Sequence, residues 1–332
     1  MSHRVFIDGQ AGTTGLEIHA RLRGRTDLEL LEIEPARRKD AAARRELLNE
    51  ADAVVLCLPD AAAREAVTLI ERPGVRVLDA STAHRVDPDW AYGLPELDAL
   101  QRTRIAAADR VSNPGCYPTG FILAVRPLVE AGWIDAAAPL SVHAISGYTG
   151  GGRELVERYE GWRGAGIHTP PRPYGLGLAH KHLPEMQQYA GISEAPLFSP
   201  LVGDFARGML VQIPLQHSVR ARPADPDLLT AALAERYADE PCVAVHAPGG
   251  ADALIDGGFL DPQACNGSNR VDLMVFGHAD QQLLVARLDN LGKGAGGAAI
   301  QNLNLMLGAP EHAGISISAA DAPPPERSPE DA

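Results

Sequence analysis

Over roughly its first eighty residues the chain alternates continuous apolar runs with helical stretches, a pattern that few folds accept. Val5-Phe6-Ile7 reads as a strand, Gly9-Gln10-Ala11-Gly12 as a turn, and residues 14–22 as a helix. Residues 28–33 form a second expected strand, 44–49 a helix, and 53–58 a buried strand ended by Pro59. A helix over 61–70 and a strand over 75–78 continue the alternation. Strands that are apolar throughout, separated by helices, indicate a parallel sheet covered on both faces. Right-handed crossovers then line up the strand C-termini, and the loops that follow them, along one edge.

After about residue 113 the texture changes. A strong helix is expected over 119–131 with Gly132 as its stop. The later strands, 140–145, 209–214, 271–277 and 282–288, are separated by long Gly- and Pro-rich connections, which suggests a mixed or antiparallel sheet. Residues 293–307 form a Gly- and Ala-rich helix, whose small side chains imply close approach of another backbone. The expected fold is therefore α/β, a helix-covered parallel-sheet domain followed by an α+β domain. The expected bounds are 1–114 and 115–290, with a disordered tail over 319–332.

Thirty Lys and Arg against 43 Asp and Glu leave a net charge of −13 with no polybasic tract, which argues against nucleic acid and anionic membranes as partners. An anionic substrate would need local Arg and Lys to hold it. Cys57, Cys116, Cys242 and Cys265 have neither disulfide-framework nor zinc-knuckle spacing, and reduced thiols in a cytoplasmic protein fit them better. The N-terminus shows no signal peptide and no apolar run reaches membrane-spanning length.

Five stretches could carry chemistry. Gly9, Gly12 and Gly15 lie between the first strand and the first helix, where glycines admit a pyrophosphate and the helix N-terminus offers it free N–H groups. Arg37, Arg38 and Lys39 follow the second strand, where cations suit the 2′-phosphate of NADP; a solvated charge run is the alternative, and Glu32 and Glu34 blur the signal. In Ser112-Asn113-Pro114-Gly115-Cys116-Tyr117-Pro118-Thr119-Gly120, Cys116 stands at a helix N-terminus, where positive potential should lower its pKa and favour a nucleophilic thiolate. Cys57, inside an apolar strand, reads as structural. In His180-Lys181-His182-Leu183-Pro184-Glu185, Pro184 suggests an extended preceding segment with His180 and His182 on one face and Glu185 in the first turn of a helix. Zinc ligation, a general acid–base oriented by the carboxylate, and structural histidine all fit; no third His or Cys stands nearby at ligand spacing, so no metal is expected. The loop 146–153 is rich in donors and glycine and could serve an oxyanion or merely turn the chain. Arg207, Arg270 and Lys293 stand beside glycine or strand residues, free to hold an anion or to make ordinary ion pairs.

With these residues in view, the chain resembles the N-acetyl-gamma-glutamyl-phosphate reductases of arginine biosynthesis, in their shorter form. The likeness is carried by residues 8–16, 79–85, 92–97, 112–119, 180–185 and 289–304, in order along nearly the whole chain. His84-Arg85 stands where the longer form has Phe-Arg. The resemblance implies a nucleophile at Cys116, a histidine pair at His180 and His182, and an acid at Glu185. It also implies a Rossmann-type first domain completed by a last helix at about 293–308, an inserted α+β catalytic and dimerisation domain, NADP as cofactor, and a homo-oligomer, dimer or tetramer. The expected reaction is NADPH-dependent reduction of N-acetylglutamyl phosphate to the semialdehyde through a thioester. The cofactor set is then Gly9, Gly12, Thr13, Thr14, Gly15, Arg37, Arg38, Pro59, Ser81 and Lys293. Ser146, Gly147, Arg207 and Arg270 are assigned to substrate, with Lys181 a further anion candidate. The alternatives are the related aspartate-semialdehyde dehydrogenases, an aminoadipyl-phosphate reductase, a thiol hydrolase, or an NADP sensor without turnover.

Overall fold

The computed structural model describes residues 2–318, and the tail expected over 319–332 lies outside the described residues. The first sheet contains β1 (His3–Asp8), β2 (Leu28–Leu31), β3 (Ala53–Leu56), β4 (Arg76–Asp79), β5 (Ala91–Tyr92) and β6 (Arg110–Ser112). They run in the order β2-β1-β3-β4-β6-β5, all parallel. Helices α1 (Thr13–Leu22), α2 (Ala41–Glu50), α3 (Asp60–Thr68) and α4 (Gln101–Ala107) connect them. Alternate strand residues feed two cores: Val5, Ile7, Val55 and Leu78 face one side, Phe6, Val54, Leu56 and Val77 the other. The strand order reverses at β1, so a crevice opens at the carboxyl ends of β1 and β3, where doubly wound sheets bind ligands.

Helix α5 (Cys116–Glu130) leads out of this sheet into a seven-stranded mixed one. Its strands are β7 (Ser141–Gly147), β8 (Arg172–Pro173), β9 (Leu197–Gly203), β10 (Met209–Gln216), β11 (Val243–Val245), β14 (Val271–His278) and β15 (Gln281–Leu288), in the order β11-β14-β15-β10-β7-β9-β8. A small hairpin of β12 (Leu254–Ile255) and β13 (Phe259–Leu260) lies between β11 and β14 in the chain. Helices α6 (Arg153–Gly164), α7 (Leu183–Ala190) and α8 (Pro226–Arg236) complete the second layer. Helix α5 is buried along most of its length, with Tyr117, Phe121, Ile122, Val125 and Leu128 in the core between it, the sheet and α7. Pro127 lies inside α5 and cannot donate to the carbonyl four residues back. The Tyr237 hydroxyl, just after α8, donates to that Leu123 carbonyl at 2.8 Å instead.

Two local expectations change. The histidine segment is a turn, not extended: Leu183 N donates to His180 O at 3.0 Å, and His182 has helical φ and ψ of −86° and −10°. Pro184 falls in the first turn of α7, where its missing N–H would have had no intrahelical acceptor. The glycine-rich helix begins later than 293. Residues 292–296 form a wider π-type turn before α9 (Gly297–Leu307), and this turn packs so close to Cys116 that a Cβ on Gly294 would come 2.8 Å from the cysteine Cβ. Helix α9 then returns to the first sheet and buries Ala299, Ile300, Leu303 and Met306 in its core. Among the described residues no helix is long and apolar enough to cross a membrane.

Candidate active site

The path of the chain from β6 into α5 sets the position of Cys116. Asn113 N donates to Asp79 O at 2.8 Å, fixing the turn to the end of β4, and its side chain donates to Ala295 O at 3.0 Å. Gly115 caps α5 in extended conformation, and Thr119 returns both its N–H and its hydroxyl to Gly115 O. Cys116 is the first residue of the helix, half-buried, and lines a cavity of about 680 Å³. The sequence suggested a lowered pKa. In the structure burial dominates and pushes the thiol up to about 11, against the pull of the Tyr117 N–H and Arg85. The sulfur therefore needs a base.

His180 and His182 line the same cavity, their rings 4.7 Å apart, centroid to centroid. Burial first, then the Arg85 charge, holds His182 well below the usual histidine range, and burial also lowers His180. Both are thus neutral, proton-accepting imidazoles near pH 7. A Cβ built on Gly115 would lie 2.7 Å from His182 Nε2, so that nitrogen faces the cysteine turn, while the buried Nδ1 has no partner among the described residues. His182 N donates to His180 Nδ1 at 3.2 Å.

Glu185 does something other than orient a histidine. Its buried carboxylate accepts from Arg85 at 2.6 Å, from the Tyr92 hydroxyl at 2.9 Å and from Gly115 N at 3.1 Å. Arg85 in turn donates to Asn113 O at 2.9 Å. Glu185 is a clamp on the turn that presents Cys116, and Gly115 must be glycine because Arg85, His182 and Glu185 close around its Cα.

The first-domain end of this cavity continues into a narrower groove, the two sharing Thr13, Thr14, Ala80, Arg85, Gly152 and Lys181. Pro59 and Ser81 line the groove, and Ser81 is itself held by Asp79 at 2.7 Å. Gly9 has φ of +91° and a Cβ there would strike the Cys57 carbonyl, so the turn can pass only as glycine. Gly12 caps α1, whose first N–H groups face the groove mouth at Thr13 and Thr14. The residues fit a dinucleotide. Arg37 and Arg38 stand exposed after β2, Arg37 paired with Asp40 at 3.3 Å. Glu32 is taken up by Gln10 and His19.

Ser146 and Gly147 line the cavity beside Thr149 and Gly150. Three other expected contacts are turned elsewhere. Lys293 is fully buried, its ammonium held by Glu96 at 2.7 Å and by Gln301, so its side chain does not reach the groove. Arg207 pairs with Glu17 of α1 at 2.6 Å, and Arg270 pairs with Asp272, beside His246. Each is held by a carboxylate, and neither lines the cavity. The sequence reading passed over Arg85, Tyr92, Arg158 and Arg172. Arg85 and Tyr92 were inside matched segments, whereas Arg158 and Arg172 lie outside them. Among the described residues no group of three or more His, Cys, Asp or Glu could hold a metal ion.

Residues 15–106 match the family model for the NAD binding domain of semialdehyde dehydrogenase, and residues 116–290 match the model for its dimerisation domain. An N-acetyl-gamma-glutamyl-phosphate reductase of Pseudomonas putida is 53% identical over 310 residues, covering 92% of this chain and 97% of its own. One from a Nostoc species is 50% identical, covering 94% and 99%. The chain belongs to the semialdehyde dehydrogenase family, in its N-acetyl-gamma-glutamyl-phosphate reductase branch. Solved members show how far that fold persists. Aspartate semialdehyde dehydrogenase II of Vibrio cholerae superposes with a TM-score of 0.68 at 16% identity, covering 92% of this chain and 98% of its own. The Candida albicans aspartate semialdehyde dehydrogenase gives 0.62 at 15%, covering 93% and 99%. In this chain the join between the two matched models falls at 106–116, so Cys116 opens the second of them.

Proposed function

We propose that this protein reduces N-acetyl-L-glutamyl 5-phosphate to N-acetyl-L-glutamate 5-semialdehyde and phosphate, with NADPH as reductant and a thioester on Cys116. The observation that carries the reading is a helix-N-terminal thiol sharing one cavity with two neutral imidazoles, at the mouth of a dinucleotide groove. The cofactor, held by the Gly9–Gly15 turn, Thr13, Thr14, Pro59 and Ser81, supplies a hydride when bound. His182 takes the Cys116 proton as sulfur bonds to the acyl carbon, and the bond from that carbon to phosphate oxygen breaks. The α5 N-terminus and nearby backbone donors stabilise the oxyanion. After hydride addition the His182 imidazolium gives its proton to the oxygen. The hemithioacetal then collapses, the carbon–sulfur bond breaks, and the proton returns through His182 to the thiol. Glu185 with Arg85 and Tyr92 holds the cysteine turn in place. The dimerisation-domain match supports assembly of the chain with itself. One assay tests the reading: NADP reduction by N-acetylglutamate semialdehyde must require phosphate, and must be far faster with NADP than with NAD. Phosphate-independent turnover, or better turnover of aspartate semialdehyde, would overturn it.

A further inference from the structure

The cavity beside Cys116 carries a charge opposite to that of the molecule. The whole chain is at −13, yet the cavity lining includes Arg85, Arg158, Arg172 and Lys181 and no Asp or Glu among the described residues. Two of these cations are accounted for by position. Arg85 is neutralised by Glu185, and Lys181 also lines the cofactor groove. Arg158 and Arg172 line only the far end, on α6 and β8. Arg158 has no hydrogen-bond or ion-pair partner among the described residues, unlike Arg153 and Arg163 of the same helix, which pair with Glu157 and Asp204. The Arg172 guanidinium carbon sits over the Trp162 ring, 4.6 Å from its centroid, and its N–H groups have no hydrogen-bond partner among the described residues. Beneath them Tyr148 stacks on Tyr159 at 4.9 Å and Tyr159 meets Trp162 edge-on, forming a stiff aromatic wall.

We infer that Arg158 and Arg172 form the subsite for the α-carboxylate of the acylated amino acid, with Trp162 and Leu155 beside its small acyl group. A guanidinium fork is suited to a carboxylate. The placement sets the direction of the substrate in the cavity: its carboxylate end lies toward α6 and β8, and its reacting end at Cys116, where Lys181 and Arg85 border the cofactor groove. It also replaces Arg207 and Arg270, whose guanidinium groups are committed to Glu17 and Asp272. This subsite rests on the reductase reading above, whose substrate is such an acid.

The test uses the reverse reaction, in which semialdehyde and phosphate are varied separately. Arg158→Gln and Arg172→Gln should each raise the KM for N-acetylglutamate semialdehyde about tenfold to hundredfold, the loss expected for one charge-assisted bond. The KM for phosphate should stay put, and the variants should lose the wild-type preference for the semialdehyde over its α-carboxamide. Arg158→Lys should recover part of the loss. An active wild type whose two Gln variants keep its semialdehyde KM overturns the subsite alone, as does a rise confined to phosphate. A wild type that turns over no N-acetylglutamate semialdehyde removes the reductase reading and the subsite with it.

Discussion

Cys116 is where burial and helix-end polarity oppose each other, and burial dominates: the thiol stays protonated up to about 11. His182 is shifted the other way, well below the ordinary 6.5, by burial and by Arg85. The resting pair is therefore thiol and neutral imidazole. Because the His182 pKa is depressed, its base form persists as pH falls through neutrality and is lost only below the usual histidine value. For acyl-phosphate reduction, kcat/KM should accordingly be flat from about pH 7 upward and fall only below about 6.5. Alkylation of Cys116 by iodoacetamide should keep accelerating past about pH 9. An acid limb centred above 7, or an alkylation plateau below pH 8, would instead mean a preformed thiolate–imidazolium pair. The position of Cys116 was legible in the sequence, because Pro114-Gly115 before an apolar helix is a local signal. The clamp on it was not. Glu185 reaches Arg85, Tyr92 and Gly115 across 100, 93 and 70 residues of chain, and no spacing within one segment encodes such a meeting.

Helix α5 shows what an element needs in order to hold a nucleophile still. Its apolar pattern and its stop near residue 131 could be read directly, since a buried helix advertises itself through length and hydrophobicity. Its one weakness, the break at Pro127, is mended by Tyr237 from beyond α8, a partner 114 residues from Leu123. Tyr237→Phe keeps the ring packed and strands a buried carbonyl, so it should cost about 1–3 kcal/mol in denaturant unfolding. The unfolding slope should not change. A midpoint equal to that of wild type would show that the carbonyl is satisfied some other way. The turn at 292–296 marks the opposite limit of sequence reading. Its run of small residues correctly signalled a close backbone approach, but one helix was expected where a wide turn admits Cys116. Helical propensity along the chain carries no record of which neighbour must fit against it.

At the scale of the molecule, the two sheets are clasped by charges that cross between them. Arg85 meets Glu185, Arg207 meets Glu17 and Arg102 meets Glu240, each joining the first-sheet region to the second. Sequence alternation revealed both sheets because each builds its own core, whereas the clasp consists of single residues far apart in the chain that no local pattern pairs. Lys293 is the case that separates these roles. It lies just before α9, wholly buried, and bonds to Glu96 after β5 and to Gln301 of α9. Burial would raise the Glu96 pKa, but Lys293 and Gln301 hold it below the ordinary value, so the Glu96 carboxylate is ionised at neutral pH. Lys293→Met would leave the Glu96 charge buried with only Gln301 to answer it, at a cost of about 3–5 kcal/mol. Because Glu96 is depressed in the folded state, its contribution to stability is present at neutral pH and is lost as pH falls through that lowered pKa. The stability difference between wild type and variant should therefore narrow in acid. At a temperature where the variant remains folded, its affinity for NADPH should match that of the wild type. Weakened NADPH binding with unaltered unfolding would return Lys293 to the cofactor groove.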